Sequence, residues 1–233
     1  MDISLAILCA LSLEAEPIID ALDMRESFDV FDARLGLRIF LSEDSKTALV
    51  LFGKCPKYKV DRIGTQFATL AAWETIKVIN PKALASVGTA GGFKSKGAHI
   101  GDVFLSCGPI YYHGRHIPVE AYHEFEKGAF LSADIKVPPA IKAGIVSSGD
   151  AVFASIDDHK KMQLFNTDAK DMEAAAVAEV ASLCHTPMFA LKAISDFVDS
   201  NISTHEQFKT NYKFAIERLV SALMKLDLIC AQK

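Results

Sequence analysis

Residues Ala83 to Gly92 read ALASVGTAGG, an apolar run that passes directly into a group of glycines. A run of alanine, leucine and valine without charged residues is typical of a strand that is buried on both faces of a sheet. Gly88, Gly91 and Gly92 predict either a tight turn at the end of this strand or a backbone that approaches a small ligand closely, with Thr89 offering a hydroxyl. The residues alone favour neither interpretation, but both place a buried strand at 83–87.

Similar apolar runs occur on both sides of this stretch and alternate with helical patterns. Strands are predicted at 3–10, 37–41, 47–52, 83–87, 103–112, 143–148 and 188–194, and helices after residue 11 and at 57–79, 174–183 and 204–228. This alternation predicts an α/β three-layer sandwich, in which helices flank both faces of a central mixed, largely parallel twisted sheet. Because no Pro-, Gly- or Ser-rich linker divides the chain, residues 1–233 are predicted to form a single domain.

The composition excludes several classes of protein. The 233 residues are 50% hydrophobic and 23% charged, which is too apolar and too even for a disordered or collagen-like chain. A net charge of −4 provides no basic surface for nucleic acid. No apolar run reaches the ~20 residues that a membrane helix needs, and residues 1–10 lack the basic start of a signal peptide. Five cysteines without a CxxC pair suit a reducing compartment, so we expect a cytoplasmic protein with neither nucleic-acid nor membrane partners.

Polar residues stand at or just after the ends of several predicted strands, where open α/β sheets bind their ligands. They are Glu14, Thr89, Asp150, Ser195 and Asp196. Because strand ends of such a sheet converge, we expect these side chains to share one crevice. Carboxylates outnumber cations among them, so the crevice does not look suited to a free anion.

The carboxylates allow two interpretations each. Asp171 and Glu173 open an alanine-rich helix, where acidic residues either favour the helix dipole or face the crevice. Asp196 follows Ser195 after a buried strand, so it either caps a helix or is a partly desolvated general acid. Glu14 is either solvated on the first helix or a base that faces the crevice. The residues alone leave these alternatives open.

The sequence gives no support for a metal or a phosphate-bearing cofactor. The glycine segment fails the P-loop pattern, because Phe93 stands where a glycine is needed before Lys94 and Ser95, and it also fails the GxGxxG pattern. His113 and His116 fall in a probable loop without an assignable third ligand, which favours ordinary polar or packing roles over metal binding.

Four segments, taken in order, resemble the nucleoside phosphorylase/nucleosidase superfamily. They are 10–14 (ALSLE), 87–92 (VGTAGG), 171–178 (DMEAAAVA) and 193–196 (AISD). Within this superfamily they are most similar to the methylthioadenosine/S-adenosylhomocysteine nucleosidases, and the stretches 91–105 and 115–118 resemble the plant-type branch in particular. The likeness extends over nearly the whole chain, including 148–150.

The resemblance implies an enzyme that hydrolyses the N-glycosidic bond of 5′-methylthioadenosine, and possibly of S-adenosylhomocysteine, releasing adenine and the 5-thioribose product. Asp196 resembles the general acid that shares a proton with purine N7, and Glu14 resembles the general base that activates water. Cleavage of this bond develops positive charge on the sugar and negative charge on the base, so carboxylates near the sugar and an acid at the purine suit it. The resemblance further implies a homodimer, a place in methionine salvage, and no metal or organic cofactor.

The resemblance also implies residues that bind the ribose. Glu173 resembles the carboxylate that holds the 2′- and 3′-hydroxyls, and Met172 resembles the side chain that packs on the sugar. Thr89 and Ser195 resemble supporting polar groups.

The purine contacts implied by the resemblance fall on Val152 and Phe153. Bacterial members commonly place an aromatic residue two positions after Asp150, where this chain has valine, with phenylalanine one position later. The wall beside adenine is therefore either aliphatic or shifted by one residue. In this family a neighbouring subunit also contributes to the 5′-alkylthio pocket, and the 117–122 loop is a candidate contributor.

Three other functions remain as alternatives: a nucleoside phosphorylase, a nucleosidase of the futalosine type, and a non-catalytic nucleoside-binding or storage protein. Related phosphorylases place an arginine where this chain has Ser86, and no arginine stands at 11–17. Without a cation there, like-charge repulsion from Glu14 would oppose a bound phosphate dianion. Water is therefore the expected nucleophile, and the presence of all three carboxylates favours catalysis over storage.

Overall fold

The computed structural model describes residues 2–226, which form twelve strands and six α-helices. The strands are β1 (Leu5–Cys9), β2 (Arg25–Ser27), β3 (Arg38–Leu41), β4 (Thr47–Leu51), β5 (Ala83–Gly92), β6 (Val103–Ser106), β7 (Pro109–Tyr112), β8 (Phe130–Leu131), β9 (Lys142–Gly144), β10 (Val146–Ser148), β11 (Ala169–Asp171) and β12 (Met188–Phe197). The helices are α1 (Ser12–Ala21), α2 (Thr65–Ile79), α3 (His123–Lys127), α4 (Ile156–Leu164), α5 (Ala174–Leu183) and α6 (Thr204–Leu223). The helix predicted at 204–228 ends at Leu223 instead, and positions 227 and 228 of that prediction lie outside the described residues, as does Cys230. Within residues 2–226, no helix has the length and apolar character needed to span a membrane.

All twelve strands belong to one sheet, in which β5 occupies the centre. The order from one end is β2-β3-β4-β1-β5-β11-β10-β7-β8, while β12 pairs with the other edge of β5 and leads through β6 to β9. Six strand pairs are parallel and five are antiparallel, and the parallel pairs include β1 with β4 and β5 with both β1 and β12. The predicted central mixed sheet is confirmed, with parallel pairs slightly more numerous than antiparallel ones.

Helices cover both faces of this sheet, and strand β1 shows how the two faces are separated. Its side chains alternate in direction, as those of any strand do. Leu5, Ile7 and Cys9 join an apolar cluster with α1 and α6, whereas Ala6 and Leu8 join a second cluster with α2 and α5. The alanines of α5 are buried and allow α2 to pack closely against it. The predicted three-layer sandwich is therefore confirmed.

Of the two interpretations of the glycine segment, a tight turn at the end of the strand is wrong. Strand β5 continues without interruption from Ala83 to Gly92, and β12 pairs with it from Leu84 to the end. Glycine weakens an isolated strand, but β12 pairs with β5 past all three glycines, and β11 pairs with Gly91 and Gly92 on the other edge, which keeps this backbone extended. The glycines are therefore important because, without side chains, they leave space beside the strand for neighbouring groups.

The helix predicted at 57–79 begins only at Thr65. Gly64 has a φ of +93°, a conformation that favours glycine and interrupts a helix from the preceding side. Residues 57–64 are irregular instead, and Asp61 bridges to Lys54. Val60 and Ile63, which extended the apolar stripe in the sequence, are exposed.

Helix α4 and strand β11 were absent from the sequence-based prediction. The start of α4 does carry a recognisable signal, because Ser155 and Asp158 form a capping box. Strand β11 has only three residues and is defined by its pairing with β5 and β10. Its position matters for the site, because it brings Lys170 and Asp171 to the middle of the sheet.

Candidate active site

A cavity of about 220 Å³ opens beside β5, at a gap between two of its neighbours. Strand β12 follows one edge of β5, and β1 follows the other edge only as far as Ser86. Strand β11 takes up that same edge again at Gly91. Within the described residues, the backbone between these points (87–90) has no strand partner on this side. Residues 87–90 line the cavity, and within this stretch the backbone N–H of Thr89 bonds to a side chain, that of Glu14, in place of a strand.

Two glycines of β5 leave room for two carboxylates of the protein itself. A Cβ atom on Gly88 would lie 2.9 Å from Oε2 of Glu14, and a Cβ atom on Gly91 would lie 3.0 Å from Oδ2 of Asp196. Both separations are too short for ordinary contacts between non-bonded atoms. The space at Gly88 and Gly91 is thus taken up by the protein's own Glu14 and Asp196, while the predicted close approach to a small ligand stays a prediction.

Glu14 is held firmly on the first turn of α1. The carboxylate of Asp61 receives hydrogen bonds from the backbone N–H and the hydroxyl of Ser12, at 3.0 and 2.7 Å, and so anchors the start of this helix. The N–H and the hydroxyl of Thr89 donate to Oε1 of Glu14 at 2.8 and 2.6 Å. Burial raises the pKa of Glu14, and the two bonds from Thr89 oppose this shift. The result is a buried, oriented carboxylate that can accept a proton.

Asp196 is presented to the cavity by an irregularity in β12. The pairing register with β5 shifts between Ile194 and Asp196, a bulge that redirects the side chains that follow it. The hydroxyl of Ser195 donates to Oδ1 of Asp196 at 2.8 Å, and the amide of Asn211 donates to the carbonyl of Ser195 at 3.1 Å. Burial raises the pKa of Asp196. The alternative of a helix cap is wrong, because the next helix begins only at Thr204.

A buried ion pair joins β12 to β11 behind these carboxylates. The ammonium of Lys192 lies 2.8 Å from Oδ2 of Asp171 and donates to the hydroxyl of Ser86 at 3.1 Å. Oδ2 of Asp171 also accepts the N–H of Ala174 at 2.9 Å, so Asp171 does stabilise the start of α5. Burial opposes both charges, but Lys192 together with hydrogen bonds from Ser148 and Ala174 lowers the pKa of Asp171, and Asp171 together with Glu173 and Glu14 raises the pKa of Lys192. The pair is therefore ionised.

Glu173 stands at the position that precedes α5 and lines the cavity. The N–H of Gly64 donates to its Oε1 at 2.9 Å. Burial and the neighbouring Asp171 raise the pKa of Glu173 to about 7, while Lys192 acts in the opposite direction. Glu173 therefore changes its protonation state near neutral pH, unlike Asp171.

The amino-acid sequence of this chain is similar to those of known proteins. The sequence model of the phosphorylase superfamily matches residues 4–226. The chain belongs to this superfamily. It is 31% identical to the 5′-methylthioadenosine/S-adenosylhomocysteine nucleosidase of Arabidopsis thaliana, over 96% of this chain and 90% of that protein. It is 33% identical to the 5′-methylthioadenosine nucleosidase of the same plant, over 89% of this chain and 80% of that protein.

Solved structures agree with the sequence comparison. The structure of Arabidopsis thaliana 5′-methylthioadenosine nucleosidase in its apo form superimposes with a TM-score of 0.92 and 29% identity, covering 100% of this chain and 98% of that one. The resemblance to the nucleoside phosphorylase/nucleosidase superfamily, drawn above from four segments, is confirmed together with its likeness to plant relatives.

The resemblance to the superfamily assigned eight residues to the site, and all of them except Phe153 line the cavity. Phe153 is 65% exposed and lies outside the lining, whereas Val152 is 42% exposed and forms part of it. Asp150, which we expected in the same crevice, lies elsewhere: its carboxylate accepts hydrogen bonds from the N–H and hydroxyl of Thr65, both at 2.6 Å, at the start of α2. The role of each lining residue remains a prediction.

The sequence analysis did not predict two cationic side chains that line the cavity. Lys192 and Lys170 both line the cavity, so the expectation that no cation lies near Glu14 is wrong. Lys192 had a signal in the sequence, since a lysine inside the apolar run 188–194 must find a buried partner. That partner could not be identified, because Asp171 is distant in sequence and reaches Lys192 only through the pairing of β5 with β11 and β12.

The two histidines for which the sequence predicted a loop, His113 and His116, do lie outside helices and strands and make polar contacts. His113 is buried, and its Nδ1 lies 2.9 Å from the hydroxyl of Ser147. Nε2 of His116 lies 2.7 Å from Oδ1 of Asp158. Burial lowers the pKa of His113 to about 4, so its ring is neutral under ordinary conditions. In the part of the chain that the structure describes, no cluster of three or more His, Cys, Asp or Glu side chains could hold a metal ion.

Proposed function

We propose that this protein hydrolyses the N-glycosidic bond of 5′-methylthioadenosine and of S-adenosylhomocysteine, releasing adenine and the 5-thioribose product. One observation carries the proposal: Glu14 and Asp196 enter the same cavity through the spaces beside Gly88 and Gly91, and burial raises the pKa of both. Two such carboxyl groups can divide the roles of base and acid. The names of the Arabidopsis relatives support the choice of substrate.

Asp196 acts at the purine. As the bond to the sugar breaks, the electron pair of that bond moves to the purine, and a proton shared by the carboxyl with N7 lets adenine leave as a neutral base. The hydroxyl of Ser195 holds the Oδ1 oxygen and orients the carboxyl. The raised pKa of Asp196, caused by burial, favours the protonated form that a general acid needs.

Glu14 acts at the water molecule that attacks the sugar. Water carries no charge of its own, so a carboxylate must accept a proton as the new C–O bond forms. The two hydrogen bonds from Thr89 occupy Oε1 of Glu14. The negative charge of Glu14 also stabilises the oxocarbenium character of the sugar in the transition state.

Glu173 and Met172 hold the ribose. A carboxylate accepts hydrogen bonds from two adjacent hydroxyls, and a methionine packs on the apolar face of the sugar. Both side chains line the cavity, and the ion pair of Lys192 with Asp171 lies beside them.

Water is favoured over phosphate as the nucleophile because the nearby positive charge is already compensated. Lys192 is the cation that lies near Glu14, and it is paired with Asp171 at 2.8 Å. The position at which related phosphorylases have an arginine is Ser86, whose hydroxyl accepts from the same lysine. A phosphate dianion would therefore meet Glu14 with little net positive charge to hold it.

Adenine release should proceed at the same rate with and without phosphate. The measurement is the initial rate for each of the two nucleosides in phosphate-free buffer and at several phosphate concentrations, with the sugar product identified by mass. We expect the free 5-thioribose in every case. A sugar 1-phosphate as the main product would contradict hydrolysis, and absence of adenine release from both nucleosides would contradict the proposed substrates.

Replacing Glu173 by glutamine should weaken the binding of ribonucleosides. Hydrogen bonds to a charged group are worth about 1.5–3 kcal/mol, so we expect KM to rise by about tenfold to a hundredfold. A 2′-deoxy substrate lacks one of the hydroxyls concerned and should lose much less. Wild-type KM should also rise as the pH falls below about 7, since protonation removes the accepting carboxylate. An equal loss on the 2′-deoxy substrate would show that the 2′-hydroxyl is not the partner of Glu173.

We further propose that the enzyme is a cytoplasmic homodimer whose products enter methionine salvage. Support for a dimer comes from the mouth of the cavity, where the apolar side chains of Ile63 and Val152 are exposed, and from the neighbouring Phe153. Exposed apolar surface beside a binding site is typical of a region that a partner covers. Sedimentation of the protein at equilibrium would measure its mass in solution, and a monomer at every concentration would contradict the proposal.

A further inference from the structure

Lys170 is a buried cation that lines the cavity and has no role in the mechanism above. It is only 7% exposed, and it lies on β11 opposite Gly91 of β5. Burying a lysine is costly unless its charge finds partners. In the described residues the ammonium of Lys192 has a carboxylate at 2.8 Å, whereas no carboxylate lies at ion-pair distance from that of Lys170. The charge of Lys170 must be held in another way.

Its partners are two consecutive carbonyl oxygens. The ammonium of Lys170 donates to the carbonyl of Ala151 at 2.6 Å and to that of Val152 at 3.0 Å. Val152 lines the cavity, in a segment that no strand or helix supports. Lys170 therefore ties an irregular segment of the cavity wall to the sheet through two charge-assisted hydrogen bonds.

Lys170 also acts on the proposed acid. Burial lowers the pKa of Lys170, and Asp196 is the strongest opposing influence on it; in return, Lys170 opposes the rise in the pKa of Asp196. A positive charge on this side of the cavity would also favour the negative charge that develops on a departing purine.

We propose that Lys170 is a positioning residue for the purine end of the cavity: it fixes the backbone of Ala151 and Val152 against β11 and sets a positive charge beside Asp196. This inference rests on the proposed nucleosidase function. It assigns to Lys170 a part in purine recognition that Val152 alone, as an aliphatic side chain, cannot provide.

Other ionisable groups face Lys170 from the surrounding elements, namely Asp171, Asp158, Glu173 and His113. Asp171 is paired with Lys192, and Asp158 contacts His116. His113 is neutral above a pKa of about 4, and Glu173 titrates at about 7. Because the proposed acid must carry a proton, we expect the loss of the proton of Asp196 to reduce activity as the pH rises, and this basic limb of the pH profile is the one that Lys170 influences.

The test compares Lys170→Met with Lys170→Arg and with a matched control. Lys96→Met is suitable as the control, because the ammonium of Lys96 also donates to two carbonyls, those of Asn166 (2.8 Å) and Thr167 (2.9 Å), but lies outside the cavity lining, where it pairs with Asp168 as well. For each folded variant, kcat and KM for 5′-methylthioadenosine are measured across pH, and adenine binding is measured by calorimetry.

Lys170→Met should weaken adenine binding and lower kcat/KM by about tenfold or more, mainly through KM, since small displacements of a positioning element are costly. In Lys170→Met, the fall in activity on the basic side of the pH profile should move to higher pH. Without the positive charge of Lys170 the pKa of Asp196 rises, so the acid keeps its proton up to a higher pH. Lys170→Arg should leave the basic limb of the pH profile at its wild-type position. Lys96→Met should change neither the binding and turnover of the nucleoside nor the position of this limb.

An unchanged limb and KM in Lys170→Met, or an equal change in Lys96→Met, would overturn the inference. If Lys170→Met does not fold, Lys170→Gln decides: it retains a donor but no charge, and a limb at the wild-type position would overturn the inference. Failure of the proposed function is a separate result, because it shows as a wild-type protein that releases no adenine.

Discussion

Replacing Asp196 by asparagine should lower kcat by at least the ~10²-fold that general acid catalysis typically contributes. The amide retains the shape of the side chain and can still bond to Ser195, which contacts Oδ1 at 2.8 Å. It cannot share a proton with the purine, so adenine would have to leave as an anion. Nucleoside binding should change much less than kcat, because the proton moves only as the barrier is crossed.

A matched control for this variant is Asp199→Asn. Asp199 lies three residues further on, and its carboxylate accepts from the N–H groups of Lys94 and Ser95, both at 2.8 Å, outside the cavity lining. We expect the control to retain most of the activity even where its stability falls. Near-complete activity in a folded Asp196→Asn protein would mean that Asp196 is not the acid.

Replacing Glu14 by glutamine should lower kcat by about 10²- to 10⁴-fold while KM changes little. Glutamine can still accept the N–H of Thr89, which contacts Oε1 at 2.8 Å, but it cannot take a proton from water. The base must be ionised, so wild-type kcat/KM should fall as the pH decreases through the pKa of Glu14, which burial raises above the usual range of a carboxyl group. The residual activity of Glu14→Gln should lack this acidic limb.

Glu16→Gln is the matched control for Glu14, since Glu16 lies on the same helix and is exposed to solvent. Its kinetics should equal those of the wild type. If Glu14→Gln raised KM by the same factor by which it lowered kcat/KM, its effect would be on binding, and Glu14 could not be assigned as the base.

Local sequence patterns predicted an element correctly where the residues of that element are enough to determine its structure. The helix at 174–183 was predicted with the bounds that α5 has. Its alanines favour a helical backbone, and they are small and apolar enough for the helix to be buried. The strand at 83–87 was placed correctly but ended too early, since glycine signals a turn in an isolated segment. Its true end at Gly92 depends on β12, which is about a hundred residues away in sequence.

The same distinction applies to the candidate site. Glu14, Glu173 and Asp196 were assigned from motifs that resemble a known family, and all three line the cavity. Phe153 was assigned in the same way and does not line it, because the segment after Asp150 has no regular structure that would fix the direction of its side chains. Motif spacing thus placed all three carboxylates at the cavity, but only one of the two candidates for the purine wall.

The sequence by itself determined the class of fold, and its motifs, through their resemblance to a known family, singled out three carboxylates that line the cavity. Only the tertiary structure decided how these carboxylates are placed and held. The gap beside β5, the space left at Gly88 and Gly91, and the pairing of Lys192 with Asp171 all depend on which strands become neighbours. The physical reason is that the free energy of a buried charge is set by groups within a few ångströms in space, whatever their separation along the chain.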